Sequence, residues 1–160
     1  MIIKQASVQD ANFISACFRD AISSLQDYSP AVIRGFLQQH TAKNLRRLIA
    51  QRDQLFYIAR KGNATVGFVF GFYHGSKKEG VFWIEWIGVS KGHQREGIAS
   101  ALLNRFLGEL KRRGFHKAVC IIRPSNKPSQ AFFRKNGFKK IVLLRRQWYK
   151  LDYYYFSKSI

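Results

Sequence analysis

The segment from Val81 to Ser100 constrains the fold more than any other part of the chain. Val81-Phe-Trp-Ile-Glu-Trp-Ile-Gly-Val89 is nearly continuously apolar, the pattern of a central strand covered on both faces. From Ile98, the residues Ala99, Leu102, Leu103, Phe106, Leu107 and Leu110 recur at helical spacing, ending at Lys111-Arg-Arg-Gly114, a basic turn and glycine suited to a helix C-terminus. A buried strand feeding a long amphipathic helix calls for helices packed on a sheet. The joint between them, Gly92-His-Gln-Arg-Glu-Gly-Ile-Ala-Ser100, sets polar residues and a glycine just before the helix. Glycine costs chain entropy there unless the backbone needs an unusual dihedral or a close approach. A helix N-terminus offers unpaired amides and partial positive charge to an anion, so ligand binding competes with structural convenience as the reason for Gly97.

The remaining chain supplies the rest of a sheet. Ile2-Ile3 predicts a short first strand. Ser7 and Asp10 form a variant capping box before Ala11, Ile14, Cys17, Phe18, Ala21, Ile22 and Leu25 at helical spacing. Ser29-Pro30 opens a second helix, and Leu45, Leu48 and Ile49 between Lys43, Arg46 and Arg47 mark a third. Leu55 to Ala59 and Thr65 to Tyr73 flank the turn Lys61-Gly-Asn63 and predict a hairpin. Lys117 to Ile122 is a further buried strand, a short helix runs to Lys135 and stops at Gly137, and final strands are expected at Ile141 to Leu144 and Trp148 to Phe156. The order predicts an α/β fold with a mixed sheet, helices on both faces, and a single domain over residues 1–160.

The charge balance narrows the partners. With 28 Lys and Arg against nine Asp and Glu, the net charge is +19, which attracts nucleotides, nucleic acid, ribosomes and phospholipid surfaces and disfavours a polyamine substrate. The plainer reading is a solvated surface. Met1 is followed by Ile-Ile-Lys-Gln, without the roughly 7 to 15 apolar residues of a signal peptide, and Glu85 interrupts the most apolar run, so neither export nor a membrane span is expected. Cys17 and Cys120 form no CxxC pair and encode neither a disulfide framework nor a zinc site, which suits a reducing cytoplasm. His40, His74, His93 and His116 show no ligand spacing, and both dinucleotide and P-loop fingerprints are absent.

Two motifs resemble a known family. Gln94-Arg-Glu-Gly97-Ile-Ala99 resembles the Q/R-x-x-G-x-G/A signature of the GNAT superfamily of N-acetyltransferases. Asn126-Lys-Pro-Ser-Gln-Ala-Phe-Phe-Arg-Lys-Asn-Gly-Phe138 resembles its N-x-x-A/S-x-x-F-Y-x-K-x-G-F block, and the order of elements agrees as well. The resemblance implies a mostly antiparallel sheet whose fourth and fifth strands splay apart. It also implies direct transfer of an acetyl group from acetyl-CoA to a primary amine, with coenzyme A as product. Carried over, Gln94, Arg95, Glu96, Gly97, Ile98, Ala99 and Ser100 hold the pyrophosphate through their backbone, and Ile87, Gly88 and Val89 pair with the pantetheine arm. Asn126 bonds the arm from the other side, Phe133 packs against the cofactor and core, and the Val89 N–H polarises the thioester carbonyl.

Phe133 departs from the family, because it stands where many relatives carry a tyrosine as general acid. Tyr149, Tyr153, Tyr154 and Tyr155, expected on the last strand, are substitute donors or core aromatics. Glu85, the only acid in a strongly apolar strand, is the candidate base, since a desolvated carboxylate has a raised pKa; the competing reading pairs it with a Lys or Arg. A protein or peptide amine is favoured as acceptor because Arg123-Pro-Ser-Asn126 echoes the R-x-S-N of protein N-terminal acetyltransferases, although their fifth-strand glutamate is Ile121 here. A small-molecule amine comes next. The alternative is a CoA-binding or nucleic-acid-associated module with weak or no catalysis, and a third reading joins the two as acetylation of an RNA-bound or ribosomal amine. Arg46-Arg47, Lys77-Lys78, Lys111 to Arg113, Lys139-Lys140 and Arg145-Arg146 form one basic face or scattered solvated ends. Family analogy implies a homodimer.

Overall fold

A computed structural model describes residues 1–23 and 27–160; Leu25, expected on the first helix, lies outside them. The elements are β1 (Ile2–Gln5), a single 3-10 turn, α1 (Ala11–Ser23), α2 (Pro30–Gln39), α3 (Ala42–Ile49), β2 (Gln54–Lys61) and β3 (Ala64–Phe72). After a second 3-10 turn come β4 (Val81–Val89), a third such turn, α4 (Ile98–Arg112), β5 (Lys117–Ile122), α5 (Lys127–Lys135), β6 (Lys139–Trp148) and β7 (Leu151–Ser159). Local chemistry starts the early helices where expected. The Ser7 amide donates to Asp10 Oδ2 at 2.9 Å ahead of α1, and the side chains of Ser29 and Thr41 cap α2 and α3 by accepting from Val32 N and Asn44 N.

The seven strands lie in the order β1-β2-β3-β4-β5-β7-β6, and every pair is antiparallel except β4–β5. That parallel pairing is brief. It joins Val81, Phe82 and Trp83 to Lys117, Ala118 and Val119 and lapses beyond Trp83, so the two strands part as expected for the fourth and fifth. The later residues of β4 then pair with β3 alone.

Helices cover both faces. On one, Leu102, Leu103, Phe106 and Leu110 of α4 pack with Phe82, Ile84, Ala118, Cys120, Phe133 and Phe156. On the other, Ala11 and Ile14 of α1 and Leu45 of α3 pack with Phe56, Ile58, Phe68 and Phe70. Each fully buried Phe or Leu contributes about 1.5–3 kcal/mol, so these two layers hold the helices to the sheet. No helix among the described residues is long and apolar enough to cross a membrane.

A β-bulge interrupts β4 at Glu85, the candidate base. Phe70 pairs with Trp86 and Gly71 with Ile84, which leaves Glu85 as the extra residue. Ile84 and Ile87 therefore face the α4 side, while Trp86 packs edge-on against Phe18 of α1 at 4.5 Å. Gly71 makes the bulge sterically feasible, since a Cβ there would lie 1.9 Å from the Trp83 carbonyl oxygen. Gly71→Ala is expected to lower stability by about 1–3 kcal/mol or more, read as a reduced denaturant midpoint. A variant as stable as the parent would show that the bulge tolerates a side chain.

The last hairpin differs from expectation. Trp148 ends β6 and does not open the final strand, which begins at Leu151 after a two-residue turn at Tyr149 and Lys150, with φ of 54° and 58°. Positive φ at both central positions is the geometry that matches strand twist, and it is normally marked by Asn or Gly. Here it is carried by residues without that mark. The register also shifts between Leu144 and Trp148, beside Arg146 at φ 48°.

Candidate active site

The opening between β4 and β5 exposes backbone. The Ser90 N–H donates to the Val66 carbonyl of the β3 side at 2.9 Å, so strand alternation turns the polar groups of Ile87 and Val89 the other way, into the opening. The Gln94 side chain folds back and donates to the Val89 carbonyl at 3.2 Å, while the Val89 N–H makes no hydrogen bond among the described residues.

The loop that follows turns twice through left-handed conformation, at Arg95 (φ 66°) and Gly97 (φ 80°). Gly97 is the residue ahead of α4, and no side chain caps that end, so the amides of the first turn have no partner within the helix. Nothing lies within 4 Å of where a Gly97 Cβ would sit. Its dihedral favours glycine there, and no contact does. The Glu96 carboxylate has partners of its own. It pairs with Lys61 at the end of β2 and receives a bond from His93 Nδ1 at 3.2 Å, and the bonds to Lys61 and then His93 hold its carboxyl below the usual range. His93 is close to this loop in sequence, whereas Lys61 is 35 residues from Glu96, with β3 and β4 between them, and no local signal marks the contact.

Across the opening, Asn126 heads α5. Its Oδ1 accepts from Ser129 N at 3.1 Å, and its amide nitrogen makes no hydrogen bond among the described residues. Phe133 is buried in the α4-side core, edge-on to Phe132 and Phe138 at 5.2 and 5.0 Å. Of the four tyrosines, Tyr149 sits in the β6–β7 turn and not on the last strand, because that strand begins two residues later. Tyr153 meets the hydroxyl of Tyr28 at 3.3 Å, Tyr154 lies under Lys140, and Tyr155 packs edge-on against Trp83 at 5.8 Å. Burial raises the pKa of Tyr153 and Tyr155.

Glu85 opens onto a cavity of about 440 Å³ on the α3 side of the sheet, walled by Phe70, Phe72, Leu48 and His40 and by the polar ends of Arg47, Gln39 and Gln54. It remains accessible to solvent through the mouth of that cavity, yet its crowded surroundings raise its carboxyl pKa by desolvation. No hydrogen bond or ion pair to Glu85 occurs among the described residues. His40 separates this cavity from a second one of about 300 Å³ beside α1. Its ring stacks on Phe18 at 4.0 Å and bonds through Nδ1 to the Phe36 carbonyl at 2.9 Å. A carbonyl only accepts, so Nδ1 carries the proton; burial lowers the pKa and Nε2 is an acceptor. Ligand spacing in the sequence does not mark His40, because its burial is a property of the tertiary packing.

Arg123 and Ser125, which carried the echo of a peptide-acceptor motif, are tied up internally. Arg123 donates to the Asp152 carbonyl, stands 3.9 Å from Asp27 and lies over the rings of Tyr153 and Tyr28, while Ser125 bonds Asp27. The basic clusters are spread over α3, the turn before β4, the end of α4 and β6, which carries both Lys139-Lys140 and Arg145-Arg146, and several are engaged: Arg46 with Asn12 at 2.9 Å, and Arg112 and Arg113 with Glu109 at 2.6 and 2.8 Å.

Comparison with known proteins adds to this geometry. Residues 20–138 match the acetyltransferase (GNAT) family. L-2,4-diaminobutyric acid acetyltransferase of Shouchella clausii (strain KSM-K16) is 30% identical over 83 residues, 52% of this chain and 46% of that protein. The enzyme of the same name from Marinococcus halophilus is 34% identical over 83 residues, 52% of this chain and 48% of that one. The match thus spans about half the length of these curated relatives. Among solved structures, PaiA N-acetyltransferase from Thermoplasma acidophilum in complex with coenzyme A superposes with a TM-score of 0.82 at 17% identity over 100% of both chains. Ribosomal-protein-alanine N-acetyltransferase from Brucella melitensis does so at 0.78 and 20%, again over 100% of both. At such identities the likeness is one of fold.

Proposed function

The chain belongs to the acetyltransferase (GNAT) family, and from that premise we propose that residues 1–160 act as a single acetyltransferase domain moving an acetyl group from acetyl-CoA to a primary amine, with Glu85 as base. One observation carries the reading. A single strand, β4, presents Glu85 to a cavity through its bulge and, a few residues on, the amides of Ile87 and Val89 to the opening beside β5.

Acetyl-CoA supplies the acetyl group as a thioester. The uncapped amides from Gly97 through Ser100 suit its pyrophosphate, joined by the backbone of Gln94, Arg95 and Glu96, which turns left-handed at Arg95. Pairing with Lys61 and His93 neutralises Glu96, so its charge does not oppose a phosphate. Ile87, Gly88 and Val89 flank the arm as a strand edge, and Asn126 donates its remaining amide hydrogens from the far wall. Glu85, directly or through a water, takes a proton from the ammonium form of the acceptor, and the freed lone pair attacks the thioester carbon. The Val89 N–H donates to the oxygen as charge builds there. The C–N bond forms, the C–S bond breaks, and the proton shed by nitrogen neutralises the thiolate through water. A thiolate is a weak enough base to leave without a dedicated acid, so Phe133 is compatible with turnover.

That last point is testable. Phe133→Tyr introduces a hydroxyl into an apolar cluster and is expected to leave kcat unchanged while lowering Tm, since a buried unpaired hydroxyl costs about 1–3 kcal/mol. A rise in kcat would show that the reaction had lacked an acid.

Both acceptor classes weighed from the sequence, a protein or peptide amine and a small-molecule amine, satisfy this chemistry. The decisive assay is amine-dependent release of free thiol from acetyl-CoA; a folded protein that neither binds acetyl-CoA nor releases thiol with any amine sinks the reading. The charge of +19 supports association with RNA or the ribosome as an accompanying property, read as salt-sensitive retention on immobilised RNA. A cytoplasmic location and a homodimer complete the proposal, the latter tested by sedimentation.

A further inference from the structure

We infer that the cavity at Glu85 accepts a short aliphatic primary amine that also carries a carboxylate, with Glu85 facing the amine and Arg47 the carboxylate. This rests on the transferase reading above and adds the class of its acceptor.

Four features of the cavity support it. Its volume, about 440 Å³, is that of a small-molecule site. Glu85 is the only acid among its lining residues, and Arg47 the only cation, borne on a different wall by the last turn of α3. Arg46, its neighbour, is engaged by Asn12, whereas Arg47 makes no hydrogen bond or ion pair among the described residues, so its guanidinium is available to an incoming anion. The other polar lining is neutral, chiefly the amides Gln39 and Gln54, and Phe72 offers apolar surface to a methylene chain.

These charges discriminate. A diamine or longer polyamine brings a second ammonium that meets no second carboxylate and is repelled by Arg47. An amino carboxylate of the same chain length matches both poles, and the planar guanidinium suits bidentate pairing with a carboxylate. Charge-assisted bonds of this kind correspond to about a tenfold to hundredfold difference in affinity.

The test uses matched pairs that differ by one carboxylate, lysine against its decarboxylated diamine and 2,4-diaminobutyric acid against 1,3-diaminopropane. Each is titrated calorimetrically into the full chain saturated with coenzyme A, and each is assayed for thiol release from acetyl-CoA. The amino acids should bind and react about tenfold to a hundredfold better than their diamines. Arg47→Gln should raise KM for the amino acids by a similar factor with kcat little changed, and should improve the diamines by removing repulsion. Selective binding that Arg47→Gln abolishes supports the inference even without turnover; the failure then lies with the catalytic assignment. Diamines that bind as well as or better than amino acids, equal losses for both in the variant, or no binding of either overturns the inference. Turnover on other amines would then leave the transferase reading standing.

Discussion

Replacing Glu85 with Gln is expected to lower kcat by about 10²–10⁴-fold while leaving acetyl-CoA affinity intact. The glutamine keeps the size and position of the side chain at the β4 bulge but cannot accept the proton of the acceptor ammonium. Desolvation raises the Glu85 carboxyl pKa, so the wild-type rate should climb with pH along a limb displaced above the ordinary carboxylate range, and that limb should vanish in the variant. Stability moves oppositely. A carboxyl whose native pKa is raised stabilises the fold fully below its unfolded pKa and loses that contribution as pH rises through the native value. Glu85→Gln should therefore unfold at a higher temperature than wild type near neutral pH, with the gap closing in acid. A variant with full kcat and an unchanged pH profile would remove Glu85 from the mechanism.

Gly97→Val should weaken acetyl-CoA binding by about a hundredfold or more, a loss equivalent to one or two charge-assisted hydrogen bonds. Two effects contribute, and they are separable. A left-handed residue with φ 80° costs about 1–2 kcal/mol for a side chain with a Cβ, and more for a β-branched one, which should appear as a modest fall in Tm. Beyond its own chain neighbours, no described atom lies within 4 Å of the new Cβ, so the remainder is expected to reflect obstruction of the approach to the α4 amides. Gly97→Ala carries much of the conformational cost with less bulk and should retain more affinity. Kinetically, KM for acetyl-CoA rises in both. Calorimetry showing undiminished binding by a folded Gly97→Val would place the coenzyme elsewhere.

The loop proposed to bind the anion was legible because each of its determinants lies within a few residues. The apolar run of β4, the helical stripe of α4 and the glycine between them are local, and the two elements fall at Val81–Val89 and Ile98–Arg112, close to where periodicity put them. Glu85 was visible as a lone acid, but its presentation was not: the bulge depends on Gly71, which lets β3 approach the Trp83 carbonyl. The final hairpin was misplaced for a related reason. Tyr149 and Lys150 carry no turn mark, and their positive φ is sustained by pairing along β6 and β7 and by Asp152 Oδ1 accepting from the Arg146 amide at 2.8 Å.

By itself, then, the sequence determined the α/β class, the capped helices, the central strand and the left-handed glycine ahead of α4. Each arises from side-chain periodicity or backbone preference acting over one or two turns of chain. Tertiary structure alone decided that Glu85 and Arg47 share a cavity, that Lys61 neutralises Glu96, and that Asp27 and Asp152 hold Arg123. Those pairs are distant in sequence, and a long-range contact is specified only when the sheet register and the packing of the helices on it are set.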